Sequence, residues 1–125
     1  MLKFYKCNHC GNVVIKLEDS GVPVVCCGEP MVELVANKED ASVEKHVPVV
    51  EARDGDVLIK VGEVEHPMTP EHMIKFIVVD KGCSYFVKPL DPGKPAEAVF
   101  TIPNPDKIKA VYEYCNLHGL WVKEF

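Results

Sequence analysis

Residues 113–121 read Glu113-Tyr114-Cys115-Asn116-Leu117-His118-Gly119-Leu120-Trp121. Cys115 and His118 lie three positions apart where a predicted strand ends, and the chain turns at Gly119, so a thiolate and an imidazole can both reach one metal ion. Two donors do not complete a metal site. The other ligands must come from elsewhere in the chain, and they decide whether the site is closed and structural or open and reactive.

The sequence around this stretch predicts an all-β domain. Short β-type runs follow one another from residue 47 to the end, separated by turn residues such as Asp54-Gly55 and Lys81-Gly82. Their spacing, with no strong helical pattern between them, is typical of an antiparallel β-sandwich. The predicted strands cover residues 47–52, 56–64, 74–79, 84–90, 96–102, 108–114 and 120–125.

The first 36 residues predict a separate small module. They hold four of the six cysteines, Cys7, Cys10, Cys26 and Cys27, among short β-type runs at 12–17, 22–25 and 31–35. So short a segment cannot bury enough apolar surface to fold alone, and four thiolates around one metal ion would stabilise it. The second cysteine pair is adjacent, unlike that of a zinc ribbon with two C-x-x-C knuckles, so binding one ion must bend the backbone there. The spacing leaves both zinc and iron open.

The predicted organisation is therefore a module at 1–36, a polar link at 37–41 and a sandwich domain at 42–125. A net charge of −5, a pI near 5.5 and the lack of a Lys/Arg block argue against a nucleic-acid or anionic-membrane partner. The apolar runs are too short to span a bilayer, and a cysteine at position 7 leaves no room for a signal peptide. We expect a cytoplasmic protein whose cysteines bind metal rather than form disulfides.

A second set of metal donors is predicted in the sandwich domain. Each of its four histidines lies beside a turn or a break in the strand pattern, and loops at one end of a sandwich converge. With the thiolate they offer five donors, which would leave one position vacant on an octahedral ion; a thiolate opposite it would favour reduction of an oxygen species bound there. Iron suits this set, and zinc and copper would accept it. The five donors are His46, His66, His72, Cys115 and His118.

Two further donor residues are predicted to lie outside both sets. Cys83 starts a strand and is expected to be a small apolar packing residue. His9 lies inside the first C-x-x-C and is expected to be solvated, because a fifth donor does not fit a thiolate tetrahedron.

In its two donor sets and in the motifs around them, the chain resembles the desulfoferrodoxin class of superoxide reductases, in its two-iron form. The resemblance covers nearly the whole chain. The matching motifs are C-N-H-C-G (7–11), C-C-G-E-P-M (26–31), E-K-H-V-P (44–48), K-V-G-E-V-E-H-P-M (60–68), His72, F-V-K-P (86–89) and Y-C-N-L-H-G (114–119).

This resemblance implies two iron centres. The four cysteines of the first segment would hold a desulforedoxin-like Fe(Cys)₄ centre, and an immunoglobulin-like sandwich would carry a square-pyramidal iron with four equatorial histidines and Cys115 axial. The ferrous form of that second iron would reduce superoxide to hydrogen peroxide without producing dioxygen. The resemblance also suggests a homodimer and a rubredoxin-like electron donor.

Two charged residues are expected beside the open position. Lys45, next to His46, would attract superoxide and orient a water that delivers a proton. In relatives the glutamate at the position of Glu44 binds the oxidised iron as a sixth ligand. The alternatives from other classes are an electron carrier whose two irons relay electrons without binding substrate, and a zinc-stapled binding module.

Overall fold

The computed structural model describes residues 2–38 and 43–125, with Val43 and Glu44 described by their backbone alone. Two compact units are present, Met1–Val35 and Ala36–Phe125. The predicted link 37–41 extends into residues that are not described and stays a prediction. Asn37, at its start, is bound within the second unit, since its backbone N–H donates to the carbonyl of Leu120 at 2.9 Å.

The first unit is built from five short strands. One antiparallel sheet has the order β2-β1-β5, and β3 pairs with β4 as a separate hairpin. The sequence did not predict β1, because lysines at both its ends hide the apolar character of Phe4, which is fully buried. The strands are β1 (Lys3–Lys6), β2 (Val13–Lys16), β3 (Val25–Cys26), β4 (Glu29–Pro30) and β5 (Val32–Glu33).

The second unit consists of two antiparallel sheets, which confirms the predicted all-β class. One sheet has the order β10-β7-β6 and the other β12-β11-β8-β9. A four-residue helix, α1 (Val43–His46), and a 3₁₀ turn, Pro105–Lys107, were not predicted. The strands are β6 (Pro48–Arg53), β7 (Asp56–Val61), β8 (Ile74–Asp80), β9 (Tyr85–Pro89), β10 (Glu97–Phe100), β11 (Ala110–Cys115) and β12 (Gly119–Glu124).

The hydrophobic core lies between these two sheets. Val57 and Ile59 of β7 pack in one cluster with Ile77 of β8 and Val111 of β11, and all four are completely buried. Residues two apart on a strand share a face, so this alternation follows directly from the apolar positions of the sequence. Cys115 belongs to the same cluster, and the inner face of β11 therefore leads from the core to a predicted metal ligand.

None of the helices among the described residues is long and apolar enough to cross a membrane.

Candidate metal centres

The four cysteines of the first unit form a compact donor cluster. Their sulfur atoms all lie within 4.8 Å of one another. The Sγ of Cys26 is 3.6 Å from that of Cys10 and 4.0 Å from that of Cys27. A tetrahedron of thiolates with metal–sulfur bonds of about 2.3 Å has edges of roughly 3.8 Å. The spacing of the sulfurs therefore fits one tetrahedrally bound ion.

Two tight turns bring these cysteines together. In the first, the N–H of Gly11 donates to the carbonyl of Cys7 at 2.9 Å. In the second, Cys27 and Gly28 connect β3 to β4 with φ angles of +54° and +75°. Positive φ at both central residues is the requirement of a two-residue hairpin turn of type I′. The adjacent cysteine pair bends the backbone as expected, and it places a non-glycine residue in the left-handed region.

The thiols of this cluster have very different proton affinities. A hydrogen bond from the backbone of Cys10 is the main cause that lowers the pKa of Cys7 to about 6. Hydrogen bonding to the Cys7 sulfur is the main cause that raises the pKa of Cys27 to about 12. Cys7 is therefore the thiol that loses its proton most readily, whereas Cys26 and Cys27 keep theirs until a metal ion displaces them. Metal binding at this cluster thus releases protons.

The second donor cluster lies where several segments of the sandwich end. His46 is the last residue of α1, and His66 precedes Pro67 in the connection between β7 and β8. Cys115 ends β11, and His118 stands in the turn to β12. One donor atom from each of these four residues lies within 4.8 Å of the other three.

His72 completes a closed cycle of four imidazole rings. It lies outside the group of four just described, but its ring centroid is 4.9 Å from that of His66 and 5.0 Å from that of His118. His46 closes the cycle, at 4.7 Å from His66 and 4.9 Å from His118. Neighbouring rings are inclined at 79–88°. Four imidazoles therefore surround one centre, each nearly perpendicular to its two neighbours.

The nitrogen atoms of this cycle are spaced as metal ligands are. The Nε2 of His46 is 3.0 Å from the Nε2 of His66 and 3.1 Å from the Nδ1 of His118. Two nitrogens at right angles on a metal with bonds of about 2.1 Å lie roughly 3.0 Å apart. The Nε2 of His72 is buried and has no hydrogen-bond partner among the described residues. A cation at the centre would satisfy these nitrogens together.

The tautomer of His66 is fixed by its backbone. Its Nδ1 lies 2.7 Å from the carbonyl oxygen of Pro67, which can only accept, so Nδ1 carries the proton and Nε2 presents a lone pair. Burial is the main cause that lowers the pKa of His66 to about 4. The imidazole is neutral at pH 7, as a metal ligand must be.

Asn116 holds the loop that presents His72. Its side-chain carbonyl accepts from the N–H of Met73 at 2.9 Å, and its amide donates to the carbonyl of Glu71 at 2.8 Å. The two residues flanking His72 are thereby tied to the residue that follows Cys115. Sequence reasoning had assigned no role to this asparagine, although its position within C-N-L-H was a signal.

Cys115 is completely buried, and its Sγ lies 3.9 Å from the Nδ1 of His118. The pairing of β11 with β8 shifts in register between Tyr114 and Cys115, because β8 carries one extra residue there and Cys115 pairs with Ile74. Burial raises the pKa of the Cys115 thiol. The sulfur is thus shielded from water on the core side of the histidine cycle.

Glu113 is a buried acid that the sequence analysis did not single out. It stands two residues before Cys115, on the same face of β11, and it is completely buried. Neither of its carboxyl oxygens has a hydrogen-bond partner among the described residues. Burial raises the pKa of Glu113 well above its usual value. An acidic residue inside an otherwise apolar strand was the signal for it.

Lys45 lies beside the histidine cycle. It is half-buried and, with His66, lines a surface cleft of about 510 Å³. Its charge is one of the causes, after burial and His118, that lower the pKa of His72. Lys94 lines the same cleft. The side chain of Glu44, the other predicted residue here, lies outside the described residues.

The two remaining donor residues lie outside both clusters. His9 is exposed and its Nε2 lies 3.0 Å from a carboxyl oxygen of Glu29. The predicted packing role of Cys83 is wrong, because this cysteine is exposed and its sulfur contacts the hydroxyl of Ser84 at 3.8 Å. It lies in the bend between β8 and β9, two residues before β9 begins.

Known proteins are similar to this chain in both sequence and fold. The desulfoferrodoxin family profile matches residues 38–124, and the desulfoferrodoxin N-terminal domain profile matches residues 1–34. Desulfoferrodoxin from Nitratidesulfovibrio vulgaris is 47% identical over 98% of this chain and 95% of its own length. The superoxide reductase of Pyrococcus horikoshii is 39% identical, over 65% of this chain and 85% of its own. The crystal structure of the superoxide reductase from Treponema pallidum superposes with a TM-score of 0.82 at 33% identity, covering 99% of both chains.

Proposed function

The chain belongs to the desulfoferrodoxin family, and we propose that it is a superoxide reductase, which converts superoxide to hydrogen peroxide without forming dioxygen. The observation that carries this proposal is the convergence of four imidazoles and one buried thiolate on a single point. The two donor clusters match the two iron centres of the family. The four histidines and Cys115 would hold iron(II), which would supply the one electron that superoxide takes up with two protons.

The residues of this cluster define how an anion can approach. Cys115 is buried on the core side, whereas the cleft that reaches His66 is open to solvent and carries Lys45. Because the protein has a net charge of −5, a local cation is needed to attract superoxide. We assign this attraction to Lys45, whose ammonium can also hold a water that passes on a proton. For Glu44 we propose the role that the resemblance implies, a carboxylate ligand of the oxidised iron.

The first centre is suited to exchange electrons with another protein. Cys10 and Cys27 are exposed, whereas Cys7 is buried in the module. Electron transfer to a thiolate-bound iron needs no substrate position, only close approach of a donor. We propose a rubredoxin-like donor, a homodimer and a cytoplasmic location; these three proposals rest on the resemblance.

Stopped-flow mixing of the reduced protein with superoxide tests the activity. The expected result is one hydrogen peroxide for each superoxide consumed, with no dioxygen. Dioxygen in the proportion made by a dismutase, one for every two superoxide molecules, would contradict a reductase.

Two simpler measurements separate the proposal from its alternatives. Azide or cyanide should bind the ferric protein at the second centre, whereas an electron carrier with a closed site would bind neither. Metal analysis should find two irons per chain, and a colourless protein containing zinc would exclude both iron-based functions.

A further inference from the structure

Trp121 is the only tryptophan of the chain, and its side chain contacts two of the predicted ligands. It is 2% exposed, and its indole stacks on the His46 ring with a centroid distance of 4.8 Å and an angle of 21°. Its Nε1–H donates to the carbonyl oxygen of His118 at 3.0 Å. One side chain on β12 therefore contacts the imidazole of His46 and the backbone of His118, two residues that are 72 positions apart in sequence.

The two contacts of Trp121 act on different parts of the two ligands. His46 ends a helix of only four residues, and the indole packs against the face of its ring. His118 turns its Nδ1 toward His46, and Nδ1 is the ring nitrogen nearer the backbone. A small rotation of that backbone would swing the nitrogen away from the centre, and the bond from Trp121 to the carbonyl of His118 opposes such a rotation.

We propose that Trp121 is a positioning residue of the second metal centre. Its stacked indole sets the plane of His46, and its N–H fixes the backbone that carries His118, which keeps the two rings at 88°. Partners behind the direct ligands typically change metal affinity by about 10- to 100-fold. Trp121 would accordingly affect how firmly this centre holds iron and how the ligands are arranged around it. The proposal concerns the ligand geometry and holds whether or not superoxide is the substrate.

The test compares two variants of the full-length, iron-loaded protein. Trp121→Phe keeps a stacked ring and removes the N–H donor, whereas Trp121→Leu removes both contacts. Phe100→Leu is the matched control, because Phe100 is a similarly buried aromatic side chain of the second unit, and no ring contact among the described residues joins it to His46 or His118. Iron release from the second centre to a chelator should be about tenfold faster in Trp121→Phe, and faster still in Trp121→Leu.

Spectroscopy distinguishes positioning from general loosening of the fold. The ferric absorption and the electron paramagnetic resonance signal of the second centre should shift in Trp121→Phe, while the signals of the first centre stay unchanged as an internal reference. Unaltered second-centre signals and release rate in Trp121→Phe would overturn the proposal, and so would equal effects in Phe100→Leu. If Trp121→Leu does not fold, Trp121→Phe decides alone. A protein inactive toward superoxide that still shows the selective shift would refute the proposed function and retain this inference.

Discussion

The Nε2 atoms of His46 and His66 face each other at 3.0 Å. Since the Nδ1–H of His66 donates a hydrogen bond to the carbonyl oxygen of Pro67, the Nε2 of His66 carries a lone pair and no proton at neutral pH. A metal ion between the two rings would accept a lone pair from each of these nitrogens at the spacing that the fold already provides. Iron bound at this centre would therefore stabilise the arrangement of the rings.

Removal of iron should lower the thermal stability of the second unit. If the metal is present at about 1,000 times its dissociation constant, binding stabilises the folded state by about 4 kcal/mol. For a unit of this size that corresponds to a fall in Tm of roughly 15 °C or more. Calorimetry of chelator-treated and iron-loaded protein measures the difference. Equal Tm values would show that iron does not contribute to the stability of the second unit.

Lys45→Ala should slow the reaction with superoxide by at least about threefold at low ionic strength, because it removes a positive charge from the cleft that leads to His66. The rate of the unmodified protein should fall as salt is added. Pulse radiolysis measures both. Lys107→Ala is the matched control: it makes the same change in net charge, but Lys107 precedes β11, and Cys115 ends that strand about 20 Å away. Equal effects of the two substitutions would eliminate local steering.

Cys115→Ser should reduce the rate of superoxide reduction by at least about tenfold even where iron is retained. An oxygen donor transfers less charge to iron than a thiolate does, so the electron is given up less readily. The visible thiolate band of the second centre should vanish as well. Retained iron together with an unaltered rate would show that this sulfur only anchors the metal.

Cys10→Ser should abolish the absorption of the first centre and leave the single-turnover reaction of the reduced second centre intact. The reason is that the four cysteines and the histidine cycle are separate donor sets. Cys83→Ser is a suitable control, since this exposed cysteine belongs to neither set and both centres should survive. Loss of single-turnover activity in Cys10→Ser alone would instead make the first centre necessary for the reaction.

Asp19→Asn should destabilise the first unit at neutral pH. The carboxylate accepts from the N–H of Gly21 at 2.9 Å and from the ammonium of Lys16 at 3.0 Å. The bond from Gly21 is the main cause that lowers the pKa of Asp19 to about 2, from 3.8. A depressed carboxyl pKa stabilises the folded state above pH 3.8, and this contribution is lost as the pH falls toward 2.

The difference in Tm between the wild type and Asp19→Asn should therefore be full at pH 7 and shrink below about pH 4. Thermal loss of the first-centre absorbance reports it. Protonation of the cysteine ligands affects both proteins alike, so the difference isolates Asp19. A difference that does not depend on pH would contradict the assignment.

Several features were readable without a structure because they are local. Alternation of apolar residues predicted the sandwich strands, and the cysteine spacing predicted a four-sulfur cluster in the first unit. Other features were not readable, since they depend on partners far away in the chain. The short β1 owes its position to the burial of Phe4, and the exposure of Cys83 follows from its place in the bend between β8 and β9.

The sequence alone determined the donor atoms, because ligand chemistry is carried by residue type and by local turns such as those at Gly119 and Cys27-Gly28. Only the tertiary structure decided their geometry. The perpendicular rings, the buried side of Cys115 and the stacking of Trp121 on His46 arise where the ends of α1, β11 and β12 meet. Contacts between residues so far apart in the chain are set by the packing of the two sheets, which no local pattern encodes.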